Sequence, residues 1–210
     1  MTFDNGTVIG KNMEVINVER FTEDKNIFPV IHLKGKEIRD NYNEMVLKAD
    51  KYRIHFRVYD DGLAYRFHTD FGGKLKVLNE EATFCFPEDY NILFPEEKTM
   101  LSAQQPRFKP MKLSEIKEEK FCSTPMLVKL DDQARLFISE SDLESYPGMF
   151  LMKQGKYELA GKYAAYSLED RKTDDRQIFP TKRANYIAKV DGTRTVSYTH
   201  LRAHETVLDL

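Results

Sequence analysis

Tryptophan is absent from the 210 residues, and cysteine occurs only at Cys85 and Cys122. Carbohydrate clefts often use tryptophan platforms, so its absence counts against a self-sufficient sugar-binding module. Two cysteines make neither a disulfide framework nor a metal motif. Each stands beside phenylalanine (Phe84 and Phe86; Phe121), so buried free thiols are expected, with a single disulfide left open. No apolar run approaches the ~18 residues of a membrane span. The first residues, Met1 to Gly6, lack the basic and apolar parts of a signal peptide. The chain therefore reads either as cytoplasmic or as lacking its true start. Lys plus Arg (32) and Asp plus Glu (34) nearly cancel. That balance excludes a dedicated nucleic-acid binder, which carries a basic excess. The length suits one large domain or two small ones, and a (β/α)₈ barrel alone takes about 250 residues.

What the chain does have is β-signal. Tyr52 to Tyr59 alternates Tyr52, Ile54, Phe56 and Val58 with Arg53, His55, Arg57 and Tyr59, the period of a half-buried strand. Asp60-Asp61-Gly62 supplies a turn. Leu63 to Thr69 returns with Leu63, Tyr65 and Phe67 on its apolar face. Further strands are predicted at Glu14 to Arg20, Met45 to Lys48, Lys74 to Leu78, Ala82 to Phe86 and Pro125 to Leu130. Others are predicted at Ala134 to Ser139, Met149 to Lys153, Tyr157 to Ala160, Tyr163 to Leu168 and Arg183 to Val190. Helix is expected only over Ser114 to Lys120, capped by Ser114, with one turn at Ser141 to Tyr146. Many short strands with frequent turn residues point to a single β-sandwich or barrel domain.

Motif chemistry is sparse. There is no GxGxxG, P-loop, HExxH, GxSxG or EF-hand loop. His55 and His68 lie on the polar faces of their strands and read as solvent-facing or intersheet polar residues. Their functional alternative is an acid/base pair of the kind a sugar mutarotase needs. Glu140 ends an apolar strand and opens the acidic segment Glu140 to Glu144. On composition this is a solvated loop. A hard cation there would need six to eight oxygen ligands, more than one glutamate supplies. Arg171 to Arg176 also reads as a solvated loop.

Four collinear blocks carry a resemblance. They are GKEIRDNYNEM (Gly35 to Met45), YRIHFRVYDDGLAYRF (Tyr52 to Phe67), PMLVKLDDQARLFISESDLESYPGMFL (Pro125 to Leu151) and RANYIAKVDGTRT (Arg183 to Thr195). Together they resemble the N-terminal domain of glycoside hydrolase family 97, which comprises α-glucosidases and α-galactosidases. The resemblance implies a mainly β fold, a galactose-mutarotase-like β-super-sandwich, here incomplete at the N-terminus. It implies a catalytic (β/α)₈ barrel outside this chain as partner, and no catalytic residue within the chain. It also implies a calcium ion to which the segment resembling ISESDLESYPGM contributes one glutamate, at the position of Glu140. An α-linked oligosaccharide would be the substrate of the intact parent, exported to the periplasm or beyond.

The expected domain spans residues 1–195. Val196 to Leu210, VSYTHLRAHETVLDL, stands where the family continues with an FPWR-like stretch. It resembles a translated sequencing adapter, as found in metagenomic reading frames, and is expected to be a non-native tail. His200, His204 and Glu205 are discounted as a metal cluster for that reason. The fragment alone is expected to be catalytically silent. The other readings are a free-standing carbohydrate-binding or interaction β-sandwich, and a mutarotase-like enzyme using His55 or His68 beside a carboxylate in an open cleft.

Overall fold

The computed structural model describes residues 1–30, 35–141, 143, 146–172, 178–191 and 198–205. The strands begin with β1 (Thr2–Phe3), β2 (Asn17–Ile27), β3 (Ile38–Lys48), β4 (Tyr52–Tyr59), β5 (Gly62–Thr69) and β6 (Lys74–Asn79). Next come β7 (Thr83–Cys85), β8 (Asn91–Phe94), β9 (Lys109–Lys112), β10 (Phe121–Ser123), β11 (Met126–Lys129) and β12 (Ala134–Ser141). The last are β13 (Met149–Lys153), β14 (Glu158–Tyr163), β15 (Ser167–Lys172), β16 (Ile178–Arg183), β17 (Ala188–Asp191) and β18 (Tyr198–Glu205). The fold is mainly β, and among the described residues the helical content is one 3₁₀ turn, Leu113–Glu115.

A nine-stranded sheet runs β2-β3-β4-β5-β18-β12-β11-β8-β9. Smaller sheets run β10-β13-β14-β7, β1-β6-β17 and β15-β16. The β4–β5 hairpin pairs Tyr52 with Thr69 through to Tyr59 with Gly62, the register that the Asp60-Asp61-Gly62 turn predicts. The strand expected at Arg183 to Val190 is divided, with Arg183 closing β16 and Ala188 opening β17. β18 pairs with both β5 and β12, so residues 198–205 lie within the nine-stranded sheet.

Two buried clusters hold the sheets together. The larger takes Ile92, Phe94, Met126, Val128 and Ile138 from the nine-stranded sheet. It takes Cys122, Met149, Leu151 and Leu159 from the four-stranded one. In the smaller cluster, Phe3, Leu75, Val77 and Ala188 pack beneath Tyr52 and Phe67 of the hairpin. Burying such side chains contributes about 1.5–3 kcal/mol each.

The expected helix at Ser114 to Lys120 does not form. Leu113 and Ile116 are buried, and the Leu113 carbonyl accepts from the Lys153 ammonium at 2.8 Å. That carbonyl is therefore not left to a helical N–H four residues on. Ser114 is fastened to Asp89 by both its N–H (2.9 Å) and its hydroxyl (2.7 Å), and Glu119 has φ 64°. Glu115 accepts from the Lys112 N–H at 2.7 Å and closes the short turn. Lys153 itself is buried, with a second bond to the Lys156 carbonyl at 2.5 Å, and burial pushes its ammonium pKa down. The single turn expected at Ser141 to Tyr146 falls partly outside the described residues.

Candidate functional site

Alternation along β12 puts Leu136, Ile138 and Glu140 on one face, the face that packs inward. Glu140 is thus a carboxylate carried into the interior by an apolar strand, not part of a solvated loop. Its Oε2 accepts from the Met149 N–H at 2.5 Å. Burial pushes its pKa up to about 7, with the nearby Glu80 adding to the rise and the Met149 bond opposing it. No described residue hydrogen-bonds its other oxygen.

Glu80 follows β6 and is buried. It accepts a hydrogen bond from the Tyr146 phenol, and the Tyr163 phenol stands beside the same carboxyl. Burial pushes its carboxyl up, and the two phenols and the Met1 ammonium oppose the rise. The rings of Tyr146 and Tyr163 meet edge to face, 5.8 Å apart at 76°. Tyr146 also lines an outer groove of about 510 Å³ with Pro147, Tyr166, Ile187 and Lys189. Sequence reasoning missed Glu80, Tyr146 and Tyr163, because nothing in a lone glutamate or tyrosine marks it as buried.

The fit of calcium can be tested on these donors. Among the described residues, no group of three or more His, Cys, Asp or Glu converges on a metal position. Asp142 and Glu144 lie outside the described residues. Glu140 supplies one hard oxygen ligand, and its charge is penalised by burial, a penalty that a bound cation would offset. Its chemistry fits a single ligand, and the remaining oxygens of such a site must come from elsewhere.

The histidines sit in a different place. His55 Nδ1 lies 2.6 Å from Glu44 Oε1, and Arg57 Nε donates to Glu44 Oε2 at 3.1 Å. Burial raises the Glu44 pKa, but His55 and Arg57 outweigh it and hold the carboxyl below its usual value. The His55 side chain is 14% exposed, and its buried Nε2 has no hydrogen-bond partner among the described residues. The face expected to meet solvent is therefore a half-buried polar network. His68 lies 3.1 Å from Asp70. Both histidines stand beside carboxylates, yet His55 does not face open solvent as an acid/base group would. Of the cysteines, Cys122 is buried and Cys85 exposed, and both are free. Exposure of Cys85 corrects the expectation of two buried thiols; it sits on β7, at the end of the four-stranded sheet's order. The side chains of His200, His204 and Glu205 lie outside the described residues.

Residues 1–195 match the family described as Glycosyl-hydrolase 97 N-terminal. The chain belongs to that family. This family 97 domain is 31% identical over 207 residues to a retaining alpha-galactosidase from Bacteroides thetaiotaomicron. That match covers 92% of this chain and 31% of the relative. Among solved structures, it is similar to a glycoside hydrolase family 97 enzyme in complex with acarbose from Pseudoalteromonas sp. strain K8. There the TM-score is 0.72 at 14% identity, over 93% of this chain and 28% of that one. A beta-arabinopyranosidase gives a TM-score of 0.70 at 17% identity, over 98% of this chain and 34% of that one. At such identities the structural likeness speaks for the fold. The family 97 domain spans about a third of the length of these relatives. Among the described residues, no helix is long and apolar enough to cross a membrane.

Proposed function

We propose that this chain is the N-terminal domain, residues 1–195, of an exported calcium-dependent α-glycosidase. Its parent hydrolyses α-galactosides or α-glucosides in a (β/α)₈ barrel that lies outside the chain. The observation that carries the reading is the 31% identity, over 92% of the chain, to a retaining alpha-galactosidase. In this reading the packed sheets are an incomplete β-super-sandwich, and residues 196–210 are a non-native tail.

Glu140 would be this domain's contribution to the active site. One of its oxygens rests on the Met149 N–H, which fixes the carboxylate plane. The other is left for a cation. Calcium bound there would polarise or orient sugar oxygens. In this reading the carboxyls that do glycosidic chemistry lie in the barrel, and the chain by itself is catalytically silent.

The test is to recover the source DNA beyond the codon for Thr195 and express the extended protein. Turnover of aryl α-galactosides or α-glucosides is expected, lost on chelation. The Glu140→Gln variant should lose calcium affinity by more than the about 10–100-fold that loss of a mere outer-shell partner costs. Turnover by the 210-residue chain alone would overturn the reading. So would an extended protein indifferent to both chelator and Glu140→Gln.

A second reading, a carbohydrate-binding domain, is favoured by one observation. A cavity of about 560 Å³ is lined by Asn5, Asn12, Lys51, Tyr52 and Phe71, which join amides and a cation to aromatic faces. A thermal shift with malto- or galacto-oligosaccharide that disappears in Tyr52→Ala would support it.

A further inference from the structure

We infer that Glu80 is a positioning residue for Glu140: it holds Tyr146, which braces Tyr163 across from Met149, and the Met149 amide so placed orients the Glu140 carboxylate. The inference rests on the reading of Glu140 as a cation ligand and extends it to a residue that would not touch the cation.

The argument is one of connectivity. Glu80 follows the last residue of β6, in the three-stranded sheet. Tyr163 is the last residue of β14, in the four-stranded sheet. Tyr146 lies in the connection from β12 to β13, three residues before Met149. The Tyr146 phenol donates to Glu80 and its ring packs on that of Tyr163, so Glu80 ties two sheets to the segment that follows Glu140. Tyr163 is also the ladder partner of Met149, in the antiparallel pairing of β13 with β14. The Met149 N–H therefore has the Glu80-bound Tyr146 upstream along the chain and Tyr163, packed on Tyr146, directly across the ladder. Three residues span at most about 10 Å of extended chain, so holding Tyr146 leaves Met149 little freedom.

A carboxyl buried this fully is costly unless its partners are held in place. The Tyr146 phenol donates to Glu80, no Lys or Arg among the described residues pairs with it, and Tyr146 and Tyr163 brace each other edge to face. Glu140 receives the benefit. Its orientation depends on the Met149 N–H, and that N–H lies in a segment that Glu80 holds.

Backbone amide exchange of the full 210-residue chain, followed by NMR, tests this without any metal. The variants are Tyr146→Phe, Glu80→Leu and Glu80→Gln. Met149 is compared with Leu151, a buried residue of the same strand. Tyr146→Phe and Glu80→Leu should speed Met149 exchange about tenfold or more while Leu151 holds, the effect of losing a charge-assisted hydrogen bond. Glu80→Gln keeps an oxygen that accepts from the Tyr146 phenol and should stay within about threefold of the parent chain. If Glu80→Leu does not fold, Tyr146→Phe decides alone. Unchanged Met149 exchange in a folded Tyr146→Phe overturns the inference. Equal loosening of Met149 and Leu151 also overturns it, because that marks general destabilisation. Activity of the extended protein that ignores chelation would remove the ligand reading, and a selective Met149 effect would still support the clamp.

Discussion

Glu44 and Glu80 are equally withdrawn from water, 9% and 8% exposed, yet their surroundings treat charge in opposite ways. Glu44 lies on β3 between His55 and Arg57 of β4, and its carboxyl is held below the usual range. Glu80 lies where the sheets meet, between two phenols, and its carboxyl is pushed above that range. Burial raises both carboxyls, and more strongly for Glu80, which at like exposure is enclosed more deeply. The partners add to the difference: His55 and Arg57 stabilise the Glu44 anion strongly enough to reverse the cost of burial, and the phenols beside Glu80 do not. One region is an ion-pair network that specifies a sheet face. The other is a hydrogen-bonded junction suited to fixing geometry.

The comparison is broken most forcefully by Glu44→Ala. It removes the carboxylate that His55 and Arg57 share, and the expected loss is about 2–4 kcal/mol. Thermal unfolding measures it, at about 2–4 °C per kcal/mol for a chain of this length. Glu80→Gln should cost less than about 1 kcal/mol, because the amide oxygen still accepts from the Tyr146 phenol. A larger loss from Glu80→Gln than from Glu44→Ala would invert the assignment of roles.

The pH dependence should separate the regions by sign. The folded pKa of Glu44 lies below its reference of 4.5, so its contribution is present above that value and lost as pH falls. His55 acts in the same direction. Burial, helped by Arg66 and His68, lowers it below 6.5 despite the bond to Glu44. Its contribution is complete above that pH and lost on acidification. Glu80 is raised, so its contribution is full below 4.5 and lost as pH rises through the folded value. In urea titrations across pH, Glu44→Gln should flatten the acid limb and Glu80→Gln the opposite slope. The smallest effect belongs to Asp24→Asn. Asp24 accepts two bonds from Arg39, at 2.8 and 2.7 Å, but both side chains are more than half exposed. Its removal should leave the urea midpoint unchanged at every pH, since exposed pairs of this kind are screened by water.

Legibility in the sequence followed the same division. The hairpin was readable to within a residue, because YRIHFRVY alternates and a glycine turn follows it. Met149–Lys153 was readable as an apolar run. β2 was readable only at its start, because FTEDKN carries no alternation and is held as strand by its ladder with β3. The charges of SEIKEEK suggested a helix, and tertiary partners of Leu113 and Ser114 overrode that local preference. Glu140 was singled out by the strand that ends on it and by the family resemblance. Glu80, Tyr146 and Tyr163 converge from distant parts of the chain, and no local pattern announces such a meeting.

Lys153 offers a use beyond architecture. Its ammonium is enclosed and capped by two carbonyls, while most lysines of the chain stand in water. An amine-acylating reagent would modify those at once and reach Lys153 only when the 3₁₀ turn lifts away from β13. The rate at which that single amine is tagged would therefore time the opening of the larger core, and it would do so without any probe being built into the protein.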